Sequence, residues 1–417
     1  MNRMKNRLKV WVGVGTYALV SVGGGVMPGV VADEARAEGT GTETVLIGQG
    51  AVCRPMAVDG GGEGGEGGEG GAIIAPRPAP TVVLAPEQQF SDRQIVTDFV
   101  DQLVVPNYQQ LTQYSAELSG AIAAFVNEPS EITLSNARQA WLATRHTWEQ
   151  SEAFAFGPAA TLGLDAELDD WPLNETDVVA VIESADALTP DYVANLQTSQ
   201  KGFHAIAFLL FGTEANKPLN AFTERELEYL AAIGPVFDDT ANALLLSWTE
   251  GIDGFPAYRD EFIKAGESSS AYLTVQDAGE EIVQGILGIL DELGNVKIGE
   301  ALATQNPFLL ESRFAQSSLQ DFADNLLSVQ NVYLGQYLPS NSQGRGLQTF
   351  VATIDPALDA EIQAQMQVAQ RAIAAIPGPI EVTLCDPSAH PQIEAAIESV
   401  LALFDTFEQR VLPLVQQ

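Results

Sequence analysis

The sequence predicts an all-α protein, and three observations carry that prediction. From Asp92 onward, apolar residues recur at helical spacing, as in helices that bury one face. Helix-start signals recur as well. Thr223-Glu224-Arg225-Glu226 is a capping box, and Asp355-Pro356 is an N-cap followed by proline at the first helical position. Alternating runs bounded by hairpin turns, the mark of strands, are missing throughout.

The N-terminus reads as an export signal. Arg3, Lys5, Arg7 and Lys9 form a basic region, and the apolar run of residues 10–22 follows it. Ala35-Arg36-Ala37 places small residues at the spacing signal peptidase uses, with Val30-Val31-Ala32 as a second candidate. Residues 1–37 are therefore expected to be a signal peptide. Residues 38–90 are expected to be a Gly/Glu- and Pro-rich disordered linker. Within them, residues 60–71 hold nine glycines and three glutamates, which have nothing to bury and high backbone entropy. Residues 75–86 carry four prolines and read as extended, polyproline-like chain.

The folded body is expected over residues 91–417. Ile95, Val96, Phe99, Val100, Leu103 and Val104 open a helix that Tyr108, Leu111, Leu118, Ile122 and Phe125 continue past Pro106. Leu134, Trp141, Arg145, Trp148 and Glu152 line a second helix. The capping box at Thr223 opens a long helix through Trp248, and further helices are expected near 270–293 and 318–334. Asp355 starts one to about Ile376, and the last spans roughly residues 391–412. The expected architecture is two packed helical bundles, about 91–293 and 318–417, joined near 294–317.

Composition narrows the function. The 417 residues hold 55 acidic and 20 basic side chains, a formal charge of −35. Nucleic acid and anionic lipid need clustered Lys and Arg, so neither is an expected partner. Two cysteines, Cys53 and Cys385, exclude a disulfide-rich scaffold and a four-thiolate zinc site. An oxidising compartment would allow the two to pair or to stay apart. No segment after the signal reaches ~18 consecutive apolar residues, so no membrane span is expected in the mature chain. HExxH, GxSxG and the P-loop are all absent, and no general rule assigns an enzyme activity.

Two places carry chemistry. Residues 202–212 read GFHAIAFLLFG, a helix apolar on nearly all sides, so the ring nitrogens of His204 must be satisfied inside it. A hydrogen-bonded core histidine and a ligand both fit. Trp141, Arg145, Trp148 and Glu152 fall within ~60° of one another at 3.6 residues per turn. That stripe reads equally as a buried ion pair or as part of a site.

Together these segments resemble the imelysin family of bacterial cell-envelope proteins. The family motif GxHxxE here reads Gly202-x-His204-x-x-Ala207, residues 141–158 are similar to its Trp-rich segment, and Asp169-Asp170-Trp171-Pro172 matches its "WP" loop. Residues 297–335 are similar to its second half, closest to the iron-regulated subgroup. The resemblance covers residues 91–417. It implies an imelysin-like all-helical fold of two halves, export to the periplasm, cell envelope or outer membrane, and a tie to iron or other metal acquisition. The family is also classified among peptidases.

One departure bears on the site. Ala207 stands where the motif has Glu, so the helix offers His204 alone, and metal binding there is expected to be weakened or lost. Carboxylates from other helices are the remaining candidates, namely Glu152, Asp321 or Asp324, with Arg145, Trp148 and Gly202 lining the site. Iron or zinc would suit such donors, and the site could also hold none. His146-Thr147-Trp148-Glu149 also spells HxxE, but it lies outside the motif segment and is expected to be partly exposed without a role. The leading expectation is a non-enzymatic envelope protein with a metal ion or an envelope protein as partner. The alternatives are a peptidase acting on exported polypeptides and a helical binding module for an envelope protein or polysaccharide.

Overall fold

A computed structural model describes residues 84, 85 and 88–417. The expected signal peptide, most of the expected linker and Cys53 lie outside the described residues. So does the Cys53–Cys385 question. The body begins before Ser91: Phe90 is buried edge-on against Phe350, and the Leu84 amide donates to Gln417 Oε1 at 2.9 Å.

Among the described residues the chain is almost wholly helical. Asp92 caps α1 (Arg93–Asp98), which runs through a π-helical stretch, Phe99–Val104, into α2 (Val105–Asn127). Pro106 lies just past the π-helical stretch, whose wider turn accommodates a residue with no N–H to donate. The Ser130/Thr133 capping box opens α3 (Glu131–Glu149). A short helix, α4 (Leu164–Asp169), and α5 (Gly202–Phe211) follow. The Thr223 capping box starts α6 (Glu224–Thr249), which packs on α2, as does α3. Thr274 caps α7 (Val275–Asp291), and a π-helical stretch, Glu292–Glu300, prolongs it. Then come α8 (Ser318–Leu334), α9 (Pro356–Ala374) and α10 (His390–Thr406). A two-residue antiparallel ladder pairs Gln336 with Gln343 and Tyr337 with Ser342, too short to leave an alternating pattern in the sequence.

Residues 294–317, expected as a junction, contain buried chain. Gly294, Lys297 and Ile298 are buried, and α10 packs on this stretch. Helix α8 packs on α3, so the polar ends of both helices meet inside the body. No described helix is long and apolar enough to cross a membrane.

Helix α5 is held by contacts its sequence makes necessary. Trp141 Nε1 donates to Phe203 O at 3.0 Å, and Phe203 packs edge-on against Phe237 at 4.6 Å. Gly202 has φ +77°, and a Cβ there would overlap the Leu168 carbonyl oxygen. Only glycine lets the start of α5 meet the end of α4 this closely. Gly202→Ala is therefore expected to cost on the order of 2–4 kcal/mol, from overlap and a left-handed backbone, in urea unfolding. A loss below about 0.5 kcal/mol would show the approach to be slack.

Candidate functional site

Where α3, α4, α5 and α8 converge, the protein buries charge. The Arg145 guanidinium lies on α3, and its Nη2 is 2.5 Å from Glu149 one turn on, the spacing at which helix side chains meet. The same group pairs with Asp169 at the end of α4 and with Glu311 at 3.0 Å, and its Nε is 3.6 Å from Asp321 on α8. Trp148 Nε1 donates to Asp169 Oδ2 at 2.6 Å. Lys297 Nζ lies 2.8 Å from Glu311 Oε2 and 3.5 Å from Glu149 Oε2, and Asn325 donates to Glu149 at 2.6 Å. Arg145 also stands over the face of Phe203, 5.1 Å from its centroid.

His204 points into this cluster. Its Nε2 is 2.8 Å from Asp169 Oδ1, an ion-pair contact rather than a well-aligned hydrogen bond, and the residue is 1% exposed. Ligand atoms of Asp169, His204 and Glu311 lie within 4.8 Å of one another. Two further groups satisfy the same geometry: Glu149 with Glu311 and Asp321, and Glu149 with Glu152 and Asp169. An imidazole and two carboxylates from three separate segments are a donor set that suits iron or zinc.

Charge is unbalanced here. Glu149, Glu152, Asp165, Asp169, Glu292, Glu311 and Asp321 face one another around Arg145 and Lys297. Burial lowers the proton affinity of Arg145, but Asp169, Glu149, Glu311 and Asp321 outweigh it and hold the guanidinium firmly charged. Burial would likewise raise the Asp169 carboxyl, yet Arg145 and His204 hold it far below the usual carboxylate range. The other acids go the opposite way. Burial, reinforced by Asp169 and Glu292, pushes Asp165 up to about 8. Burial takes Asp321 to about 7 despite Arg145, and it raises Glu149 and Glu152 well above their ordinary value. A cluster with more carboxyls than cations must hold protons or take up a further cation.

The sequence expectations map onto this geometry unevenly. Arg145, Trp148, His204 and Asp321 do converge, and Gly202 sets the approach of α5 to α4. Ala207 is buried in α5 and offers no donor. Glu152 is not on the Arg145 helix face as expected: α3 ends at Glu149, and Glu152 begins a separate 3-10 turn, Glu152–Phe154. It reaches the cluster through Glu149 and Asp169 rather than in the His204 group. Asp324 is also placed elsewhere. It accepts from His146 Nδ1 at 2.5 Å and from Gln320 at 3.1 Å. His146 is half-exposed as expected but not idle, since that bond, more than the opposing burial, raises its proton affinity.

Asp169, Glu311, Glu149 and Lys297 were not singled out as site residues in the sequence. Glu149 stands at i+4 from Arg145, which is a readable ion-pair signal. Glu311 directly follows the apolar run Phe308-Leu309-Leu310, where a buried acid needs a partner.

A family model described as imelysin matches residues 104–407. Iron-regulated protein A of Synechococcus elongatus is 36% identical over 329 residues, covering 79% of this chain and 88% of that protein. A crystal structure described as an iron-regulated protein A precursor from Parabacteroides distasonis shares 24% identity with a TM-score of 0.72, covering 81% of this chain and 97% of that one. An imelysin-like protein from Psychrobacter arcticus shares 13% identity with a TM-score of 0.61, covering 80% and 98%. These two structures share the fold.

The raised acids fix a pH dependence. Asp165 and Asp321 bind their protons more tightly folded than unfolded, where carboxyls titrate near ~4. Between that range and pH 7–8 the folded chain therefore holds more protons, and its stability falls as pH rises. His146 adds the same sign, because its raised proton affinity contributes stability that is lost as pH rises through the folded value. Asp169 is lowered, so its contribution is complete above the ordinary carboxylate range and adds no slope there. The urea midpoint of the metal-free chain is expected to be higher near pH 5 than near pH 8. A midpoint that rises over that interval would contradict these assignments.

Proposed function

The chain belongs to the imelysin family, and from that premise we propose an exported, non-enzymatic cell-envelope protein that binds a divalent cation, iron(II) or zinc, in the service of metal acquisition. The export reading rests on the N-terminal sequence. The observation that carries the cation reading is the buried convergence of His204 Nε2 with the carboxylates of Asp169 and Glu311, whose ligand atoms lie within 4.8 Å of one another and whose imidazole makes no well-aligned hydrogen bond. A core histidine kept only for packing would be expected to make a well-aligned bond there. Two neighbouring carboxylates and an imidazole nitrogen form a three-donor set.

Ala207 withdraws the motif carboxylate from α5. In this reading Asp169 and Glu311 supply the acids, from α4 and from the segment before α8. Arg145 and Trp148 orient Asp169 and do not touch the ion. Binding is then weaker than a site with a further carboxylate would give, which suits a metal that is cargo rather than a fixed structural part.

Calorimetric titration of the purified chain with zinc, or with iron(II) without oxygen, is expected to show one bound equivalent. His204→Ala and Glu311→Gln are each expected to weaken it by about tenfold or more. Ala207→Glu should tighten it. Unchanged affinity in both weakened variants would sink the assignment, as would failure of the natural chain and the Ala207→Glu variant to bind at all.

A further inference from the structure

Lys297 lies inside the acidic cluster, on the π-helical stretch between α7 and α8, and is 1% exposed. Its ammonium is 2.8 Å and 3.1 Å from the two oxygens of Glu311 and 3.5 Å from Glu149 Oε2. Glu149 and Glu311 are the two carboxylates that pair with this ammonium. Between them they belong to all three carboxylate groups able to hold a cation. Whichever group an ion enters, it must share a carboxylate with Lys297.

An ammonium and a divalent ion compete for the same oxygen lone pairs and repel each other at close range. The two resident cations differ in how easily they can yield. Arg145 is a planar fork engaged with four carboxylates from α3, α4, α8 and the segment between α7 and α8. Lys297 is a point charge on a flexible four-carbon stem, held by two.

Resting on the cation-binding reading above, we propose that Lys297 is a built-in competitor that occupies the site's carboxylates when no metal is bound and is displaced when metal enters. It sets the affinity of the site. A resident ammonium keeps the empty cluster from carrying its full negative charge, and it makes each loading an exchange of one cation for another. Metal held this way leaves again when the ammonium returns.

The opposite role would be a lysine that fixes Glu311 in place for the metal, and the two roles predict affinity changes of opposite sign. Zinc and iron(II) affinities are measured by chelator competition for the natural chain, Lys297→Met and Lys297→Arg. Lys297→Met keeps the length and removes the charge, and it is expected to bind on the order of tenfold tighter or more. Lys297→Arg keeps the charge and is expected to show no gain. If the natural chain binds metal and Lys297→Met binds equally or more weakly, the competitor role falls while the cation reading stands. If Lys297→Met alone binds, the lysine is a permanent occupant that metal does not displace, and the proposal falls. If neither binds, both readings fall.

A readout on the natural chain guards against a Lys297→Met variant that does not fold. Reductive methylation of Lys297, followed by mass spectrometry, is expected to run several-fold faster with zinc bound, because the displaced amine leaves its carboxylates. Equal or slower methylation with bound zinc overturns the proposal.

Discussion

Burying a guanidinium among carboxylates from α3, α4, α8 and the segment before α8 ties those pieces of chain to one another. The tie is stiff because none of the charges can turn to water instead. Removing one partner of such a group leaves a buried charge uncompensated, at a cost of about 3–5 kcal/mol. Arg145 thus decides where Asp169, Glu311 and Asp321 can be, and Trp148 fixes the second oxygen of Asp169. The His204 ring then meets a carboxylate it did not bring with it. Around this point the rest of α3, α5 and α6 is ordinary aromatic packing: Trp141, Phe203 and Phe237 fill the space behind the charges.

The same cluster is costly by design of its composition. Seven carboxyls around two resident cations and one imidazole cannot all ionise at little cost in a buried volume, and burial raises the proton affinity of Glu149, Glu152, Asp165 and Asp321. A purely structural network would be expected to balance its charges, since buried ionic groups already contribute little net stability. An excess of acid that must be offset by protons, by Lys297 or by an arriving metal makes more physical sense in a site that exchanges cations. This is also why the loss of the motif carboxylate at Ala207 does not empty the region of donors. The acids come from other segments.

Much of the fold was legible because helices announce themselves locally. The capping box at Thr223 and the N-cap at Asp355 mark starts, and apolar periodicity marks faces. The site was legible only in part, because its partners meet through tertiary contact. His204, Arg145 and Asp321 could be picked out, but sequence spacing extended α3 past its end and put Glu152 on the Arg145 face. Glu149, at i+4, is the residue that occupies it. Asp324 and Asp321 sit three apart on α8, and nothing local decides which reaches the cluster. Packing sends Asp324 to His146 and Asp321 to Arg145. Glu311 and Lys297 come from stretches whose pairing depends on how the segment between α7 and α8 folds back, which no periodic pattern records.

The central claim is that a divalent ion is held by His204 together with carboxylates drawn from outside its helix. Its most direct test is a crystal of the zinc-soaked protein measured on both sides of the zinc absorption edge. The account predicts one anomalous peak at about 2.0–2.1 Å from His204 Nε2, with Glu311 or Asp169 oxygens completing its coordination. A zinc peak bound elsewhere, with His204 Nε2 still facing Asp169 and no ion beside it, would contradict the account.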